Sequence, residues 1–515
     1  MFRLIRWVAP TRRCFIWIAA GIILRLVFIW FPRPDDPDTL DYLELGHNLL
    51  HHGIYGLGSG TDLAPMLFRL PGYPIFLATF EALFARFWPN NWFNAVFVAQ
   101  AIADLSGGLL LAAFARRHLT PRAGEIALVL AMLCPFTAVE SAIAMTESLS
   151  IFAVALGIYA AGRAITAESA GRRDFSALLL AGVASALATL LRPDGVLLFM
   201  SLAAGLLFYT FRVAPVLDSE TRESASSNAQ LSAHHQSNRT HLGRALSATS
   251  ILSCIALIPL VLWTIRNYAD FHVFQPLAPR MINDPGERPL VGVRRWLRTW
   301  SVEYVTTATV VWNLPGDYVD PIDISPSAFD SPAQRAQTLA LIAEYNQTNS
   351  ISADLDSRFN ALAEKRIRAH PLRYYVELPI LRVADMLLRP RTEAFYLEVF
   401  WWPPDGHPWQ TTTAALLGLI NLFYVGAAAW AFLRGRVPFA WMLGGYLVLR
   451  FLLLGTMENP EPRYTLECFP IFIVAAAAAL SGIRAAAPGR VSSIGGDGRL
   501  RRLAISHRRR ASQRG

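Results

Sequence analysis

The sequence predicts an all-α polytopic membrane protein with about ten transmembrane helices. Three observations predict it. Hydrophobic residues make up 53% of the 515 and charged residues only 17%, a balance foreign to soluble domains. Apolar runs of membrane length recur along the chain. Arginines gather in the short segments between those runs and in the C-terminal tail, which is the pattern of cytoplasmic loops. The same distribution excludes nucleic acid as the reason for the net charge of +9. Cys14, Cys134, Cys254 and Cys468 lie in or beside predicted spans. They have no metal-like spacing and no disulfide logic, so they read as buried thiols.

The N-terminal transmembrane module covers residues 1–267. Arg3, Arg6, Arg12 and Arg13 precede a first span, Cys14 to Phe31, which is retained because no small-residue cleavage site follows it. Arg25 inside that span is costly in lipid and must face protein or water; Asp104 in the second span is its expected partner. Residues 33–90 are too polar to cross and form the first outer loop. Leu40, Leu43 and Leu50 recur at helical spacing after Pro37, which predicts an amphipathic helix over Asp38 to His51. Gly53, Gly56, Gly58 and Gly60 mark a loop, and Pro74 to Trp88 reads as a second surface helix. Further spans are expected at Phe93–Ala115, Gly124–Ala142 and Glu147–Ala161. A hairpin of two follows, around Arg192-Pro193-Asp194-Gly195. Residues 213–244 are polar and read as a flexible cytoplasmic linker before a span at Ala245–Ile265. Residues 268–409 form an outer, periplasmic interfacial domain. Residues 410–483 hold the C-terminal transmembrane helices, and 484–515 form a basic disordered cytoplasmic tail.

The outer loop carries the chemistry. Asp35, Asp36, Asp38, Asp41 and Glu44 place five carboxylates in ten residues beside a membrane face. The topology brings Asp38, Asp41 and Arg69 to the same side as Glu147, Arg266, Glu461, Arg463 and Tyr464. Asp38-Thr39-Leu40-Asp41-Tyr42 resembles the Asp-Glu-x-x-Tyr element of the GT-C glycosyltransferases that use polyprenyl-phosphate sugars. The protein O-mannosyltransferases and the lipid A aminoarabinose transferase belong to that group. Arg69-Leu70-Pro71-Gly72-Tyr73-Pro74 resembles its basic-x-Pro-x-Tyr element. Thr146-Glu147, Trp263 to Asn267 and Glu461-Pro462-Arg463-Tyr464 match its later signposts. Thr39 departs from the usual acidic pair, which leaves open which carboxylate is primary.

The resemblance implies an inverting hexosyl- or pentosyltransferase of the cell envelope, in a bacterial inner membrane with the site facing outward. It moves a sugar from a polyprenyl-phosphate donor to a glycan, lipid or protein acceptor, among membrane lipids and without nucleic acid. Asp38 is then the general base, with Glu147 and Asp41 as further catalytic carboxylates. Arg69, Arg266 and Arg463 hold the donor phosphate. Tyr42, Tyr73, Glu461 and Tyr464 contact substrate. No metal ligand set is assigned, and the need for a divalent cation stays open. Glu44, His47, His51 and His52 fall at one-turn spacing, but with no further ligand in sight they read as a polar helix face. The alternative is a transporter or flippase of a lipid-linked or polar substrate. It is disfavoured because the charged motifs cluster at one surface and no repeated halves are seen.

Overall fold

A computed structural model describes residues 12–31, 37–219, 227–279, 289–395, 397–402 and 407–482. Asp35, Asp36 and the tail from Arg484 lie outside them. The first helices are α1 (Arg12–Trp30), α2 (Pro37–His52), α3 (Gly72–Phe84), α4 (Phe93–His118), α5 (Pro121–Leu133), α6 (Pro135–Glu140) and α7 (Glu147–Ser169). Then come α8 (Phe175–Leu191), α9 (Val196–Ser219) and α10 (Ser227–Phe271). Among the described residues, six helices are long and apolar enough to cross a membrane, and four shorter apolar helices accompany them. The chain is a multi-pass membrane protein.

The core is built from small side chains that let helices approach closely. α7 packs between α4 and α8, α5 lies against α4, and α10 covers α8 and α9. α1 and α10 keep most of their apolar side chains on the outside, as lipid-facing helices do.

Two expectations fail. The span at Gly124–Ala142 is broken: α5 stops at Leu133 and α6 restarts at Pro135. Pro135 has no N–H to offer the Ala131 carbonyl one turn back, so the helix cannot run through. Arg25 repairs the break. Its guanidinium donates to the carbonyls of Ala131 (3.1 Å) and Met132 (2.5 Å) and to Asp104 Oδ2 (2.6 and 2.9 Å). The expected Arg25–Asp104 pair is therefore present and closes a helix break. The second failure is the linker. Where described, residues 213–219 and 227–244 lie inside α9 and α10. Polar composition alone does not show that they extend neighbouring apolar helices.

Residues 289–395 form a polar helical unit with its own core. It contains α11 (Val291–Leu297), α12 (Pro332–Tyr345), α13 (Ala353–Ala369) and α14 (Leu378–Leu388). Trp296, Trp300, Ile342, Phe359 and Leu362 fill its centre. α14 leaves Ile380, Leu381 and Leu388 exposed, continuing Leu372, Tyr375 and Val376 before it. That apolar face suits a membrane surface. Its buried face carries Arg382, which donates to the carbonyls of Arg298, Ser301 and Gly455 and so ties the unit to the helical body. The described residues close with α15 (Pro408–Leu433), α16 (Ala440–Leu454), a 3₁₀ stretch at Pro462–Cys468 and α17 (Phe469–Leu480). α17 is buried almost throughout and packs on α4, α5 and α15.

Candidate active site

The first outer loop is held from both sides. Thr39, in the first turn of α2, donates to the Ala144 carbonyl at 3.1 Å and sets α2 beside the start of α7. Gly72 opens α3 against the end of α8: a Cβ there would sit 2.7 Å from the Leu190 carbonyl oxygen, so no larger residue fits. Between these helices a short hairpin pairs β1 (Gly56–Leu57) with β2 (Ala64–Pro65). The anchor of the hairpin is Arg266, which donates to the carbonyls of Tyr55 (2.8 Å) and Met66 (2.6 Å) and pairs with Asp270 at 2.9 Å.

This geometry gathers Asp38, Asp41 and Arg69. Arg69 Nη2 donates to Asp38 Oδ1 at 2.5 Å and to Asp41 Oδ2 at 3.0 Å. Arg463 Nη2 reaches the other Asp38 oxygen at 3.4 Å, across 425 residues of chain. Glu461 aims Arg463 with an ion pair of 2.6 Å and accepts the Tyr464 hydroxyl at 2.7 Å. Arg69 leaves its buried Nε without a partner and lies 5.1 Å from the centre of the Tyr42 ring.

A second layer of charge lies alongside. Glu147, at the start of α7, accepts from Arg192 at 2.7 Å. Arg192 sits over the Tyr464 ring, 5.4 Å from its centre, and pairs with Asp194 and Glu467 at 3.3 Å each. Buried Arg450 completes the network on Glu467 (2.5 Å) and Asp194 (3.1 Å). Gly195 makes the intervening turn possible, since a Cβ would fall 2.0 Å from the Ala188 carbonyl oxygen.

The electrostatics favour an ionised Asp38. Burial pushes its carboxyl up, but the guanidiniums of Arg69 and Arg463 and the hydrogen bond from Arg69 outweigh it and hold the group below the usual carboxylate range. Arg69 is desolvated too; the charge and hydrogen bonds of its partners still raise its pKa, so it stays a cation. Burial keeps the Tyr42 phenol protonated.

Asp38, Asp41, Tyr42, Arg69, Glu461, Arg463 and Tyr464 thus meet, and Glu147 joins them through Arg192. Two expected residues do not. Arg266 has its donors on the hairpin carbonyls and Asp270, so it shapes the loop from behind. Tyr73 is fully buried and its hydroxyl donates to Gln100 at 2.7 Å, which removes it from substrate contact. Sequence reasoning misses Arg192, Asp194, Arg450 and Glu467. Arg192 and Asp194 are legible only as a turn. Arg450, an arginine inside an apolar helix, is the available signal.

Residues 71–218 match the family described as dolichyl-phosphate-mannose-protein mannosyltransferase. No curated protein matches the chain. Among solved structures, the oligosaccharyltransferase of Archaeoglobus fulgidus tethered to an acceptor peptide aligns with 92% of this chain and 49% of its own, at 13% identity and TM-score 0.48. ArnT from Cupriavidus metallidurans in the apo state aligns with 92% of this chain and 78% of its own, at 16% identity and TM-score 0.37. The same ArnT bound to undecaprenyl phosphate gives 13% identity, 91% and 77% coverage and TM-score 0.35. The chain therefore spans about half the length of the Archaeoglobus protein. The family match starts within the Arg69–Pro74 element and runs through Glu147 and Arg192: residues 71–218 are similar to the dolichyl-phosphate-mannose-protein mannosyltransferases.

Proposed function

We propose that this chain is a multi-pass membrane glycosyltransferase that moves a sugar from a polyprenyl-phosphate donor to a hydroxyl or amine acceptor at the outer face of a bacterial inner membrane. One observation carries the reading. Asp38 stands between two guanidiniums, Arg69 and Arg463, delivered by segments far apart in sequence. That is the charge pattern needed where a proton is taken from an acceptor while a phosphate leaves. The family match over residues 71–218 and the sugar–lipid chemistry in that family's name support it.

The reaction is a single displacement. The acceptor oxygen or nitrogen attacks the anomeric carbon, and its proton passes to a carboxylate, Asp38 by position. The bond from that carbon to the phosphate oxygen breaks, and the electron pair leaves with the phosphate. Arg69, through its unpartnered Nε, and Arg463 meet the growing negative charge. As phosphate draws both arginines, Asp38 loses the partners that depress its pKa and becomes the stronger base. Glu147 and Arg192, paired beside the Tyr464 ring, serve the acceptor side. Asp41 holds Arg69 in place. Lipid and glycan mass spectrometry of a deletion strain tests the reading, with the strain complemented by the parent gene or by Asp38→Asn. A sugar-bearing product restored by the parent and not by the variant is expected. An unchanged lipid and glycan profile on deletion would overturn it.

A further inference from the structure

A group of ligand-forming side chains lies away from the charged site. His47 and His51 stand one turn apart on α2, on a shared face. At about 100° per residue, that face is opposite the one bearing Asp38 and Tyr42. Glu81 of α3 meets it. Its Oε1 lies 2.8 Å from His47 Nδ1 and 3.1 Å from His51 Nε2. The two imidazole centres are 4.3 Å apart, and the three ligand atoms all fall within 4.8 Å of one another. Glu44, at the same one-turn spacing, is engaged elsewhere: its carboxylate accepts the Gly58 N–H at 2.7 Å. The ligand absent from the α2 sequence is thus supplied by the neighbouring helix.

We propose that His47, His51 and Glu81 form a Zn²⁺ site that clamps α2 to α3. Two imidazoles and one carboxylate are a donor set this borderline dication takes in tetrahedral geometry. With bonds of about 2.0–2.1 Å, tetrahedral ligands sit about 3.3 Å apart. The two nitrogen–oxygen separations fall short of that by only a few tenths of an ångström. Both imidazoles are about half exposed, so they can rotate outward by that amount, and water has access to the fourth position. The carboxylate supplies one negative charge against the dication. The clamp ties α2, the helix that presents Asp38, Asp41 and Tyr42, to α3 from the side remote from the chemistry. It stands independently of the transferase reading.

The test uses full-length protein in detergent, carrying a histidine-free affinity tag and stripped with chelator. It is titrated with Co²⁺ alone and with Zn²⁺ alone. One Co²⁺ per chain is expected, with the visible absorption of a tetrahedral nitrogen–oxygen site that Zn²⁺ displaces. Zn²⁺ should also raise the melting temperature of the parent. The pair His47→Ala with His51→Ala, and separately the near-isosteric Glu81→Gln, should lose the absorption band and the Zn²⁺-dependent melting shift. His52→Ala, on the neighbouring exposed histidine, should keep both. Failure of the parent to bind a stoichiometric ion, or retention of the band in the double variant, would overturn the site. A parent whose melting ignores Zn²⁺ would reduce the cluster to hydrogen bonds between histidine and glutamate.

Discussion

Arg25 with Asp104 and Arg69 with Asp38 are the same chemical pair in two settings. Arg25 is 1% exposed, and its donors are taken by Asp104, by the Gly21 carbonyl of its own helix and by the Ala131 and Met132 carbonyls where α5 breaks off. Nothing in that arrangement is left to offer a ligand. Arg69 holds two carboxylates with one nitrogen, leaves another nitrogen unpartnered, and faces an aspartate that is itself shared with a second arginine. The Asp38 side chain is 29% exposed. A closed pair does structural work because every group is satisfied. An open one is reactive because its partners can be exchanged for a substrate without moving the fold.

The comparison breaks most visibly in stability. Asp104→Ala leaves a buried guanidinium uncompensated and should destabilise the protein by about 3–5 kcal/mol. Thermal melts in detergent measure it, and Asp38→Ala should shift them far less. Next in size is the chemistry. Asp38→Asn should leave the melting temperature close to the parental one while lowering sugar transfer about 10²-fold or more, the scale of a lost general base. A parental rate would move that role to Asp41 or Glu147. Arg69→Ala should weaken use of the lipid-linked donor by about tenfold to a hundredfold, the worth of a charge-assisted hydrogen bond. Arg69→Lys should keep part of it, because the charge survives and the fork does not. Unchanged donor kinetics in the alanine variant would remove Arg69 from the site.

The smallest effect is one of pH. The Asp38 pKa is lowered on folding, so its contribution to stability is fully present above the unfolded value of about 3.9. It is lost as pH falls below that value and through the folded one. Melts taken from neutral pH downward should therefore show an acid limb that Asp38→Asn flattens. The limb is shallow because the carboxylate is partly in water.

Much of the fold and part of the site are legible in the sequence. Hydropathy places α1 and α4 within a few residues and the start of α7 at Glu147, because burying a span in lipid constrains composition directly. Asp38, Asp41, Arg69 and Arg463 can be grouped because loop order and sidedness bring outer segments together. The resemblance drawn from those motifs agrees with the family match over residues 71–218. Other features depend on partners that no local pattern names. The roles of Arg192 and Arg450 appear only when α8, α9, α16 and the Pro462–Cys468 stretch meet. Arg266 looks like a phosphate ligand until Tyr55 and Met66 are seen to accept its donors. Glu81 is an ordinary surface acid until α3 docks beside His47 and His51. The break at Pro135 is written in the residue itself, but the apolar run around it masks the signal, since hydropathy does not register a missing N–H.

The contact between Asp38 and Arg463 also dictates an order of assembly. A chain emerging from the ribosome delivers Asp38 at the beginning and Arg463 near the end, 425 residues later. Until then the aspartate lacks its Arg463 partner, and the hairpin beside it waits for Arg266 to take its carbonyls. Closing so long a loop is entropically costly and slow. A nascent chain halted before α16 has most of its apolar helices in place and only half of its cationic pair. The Asp38–Arg463 contact therefore cannot form until the Pro462–Cys468 stretch has been made, with the buried α17 still to follow.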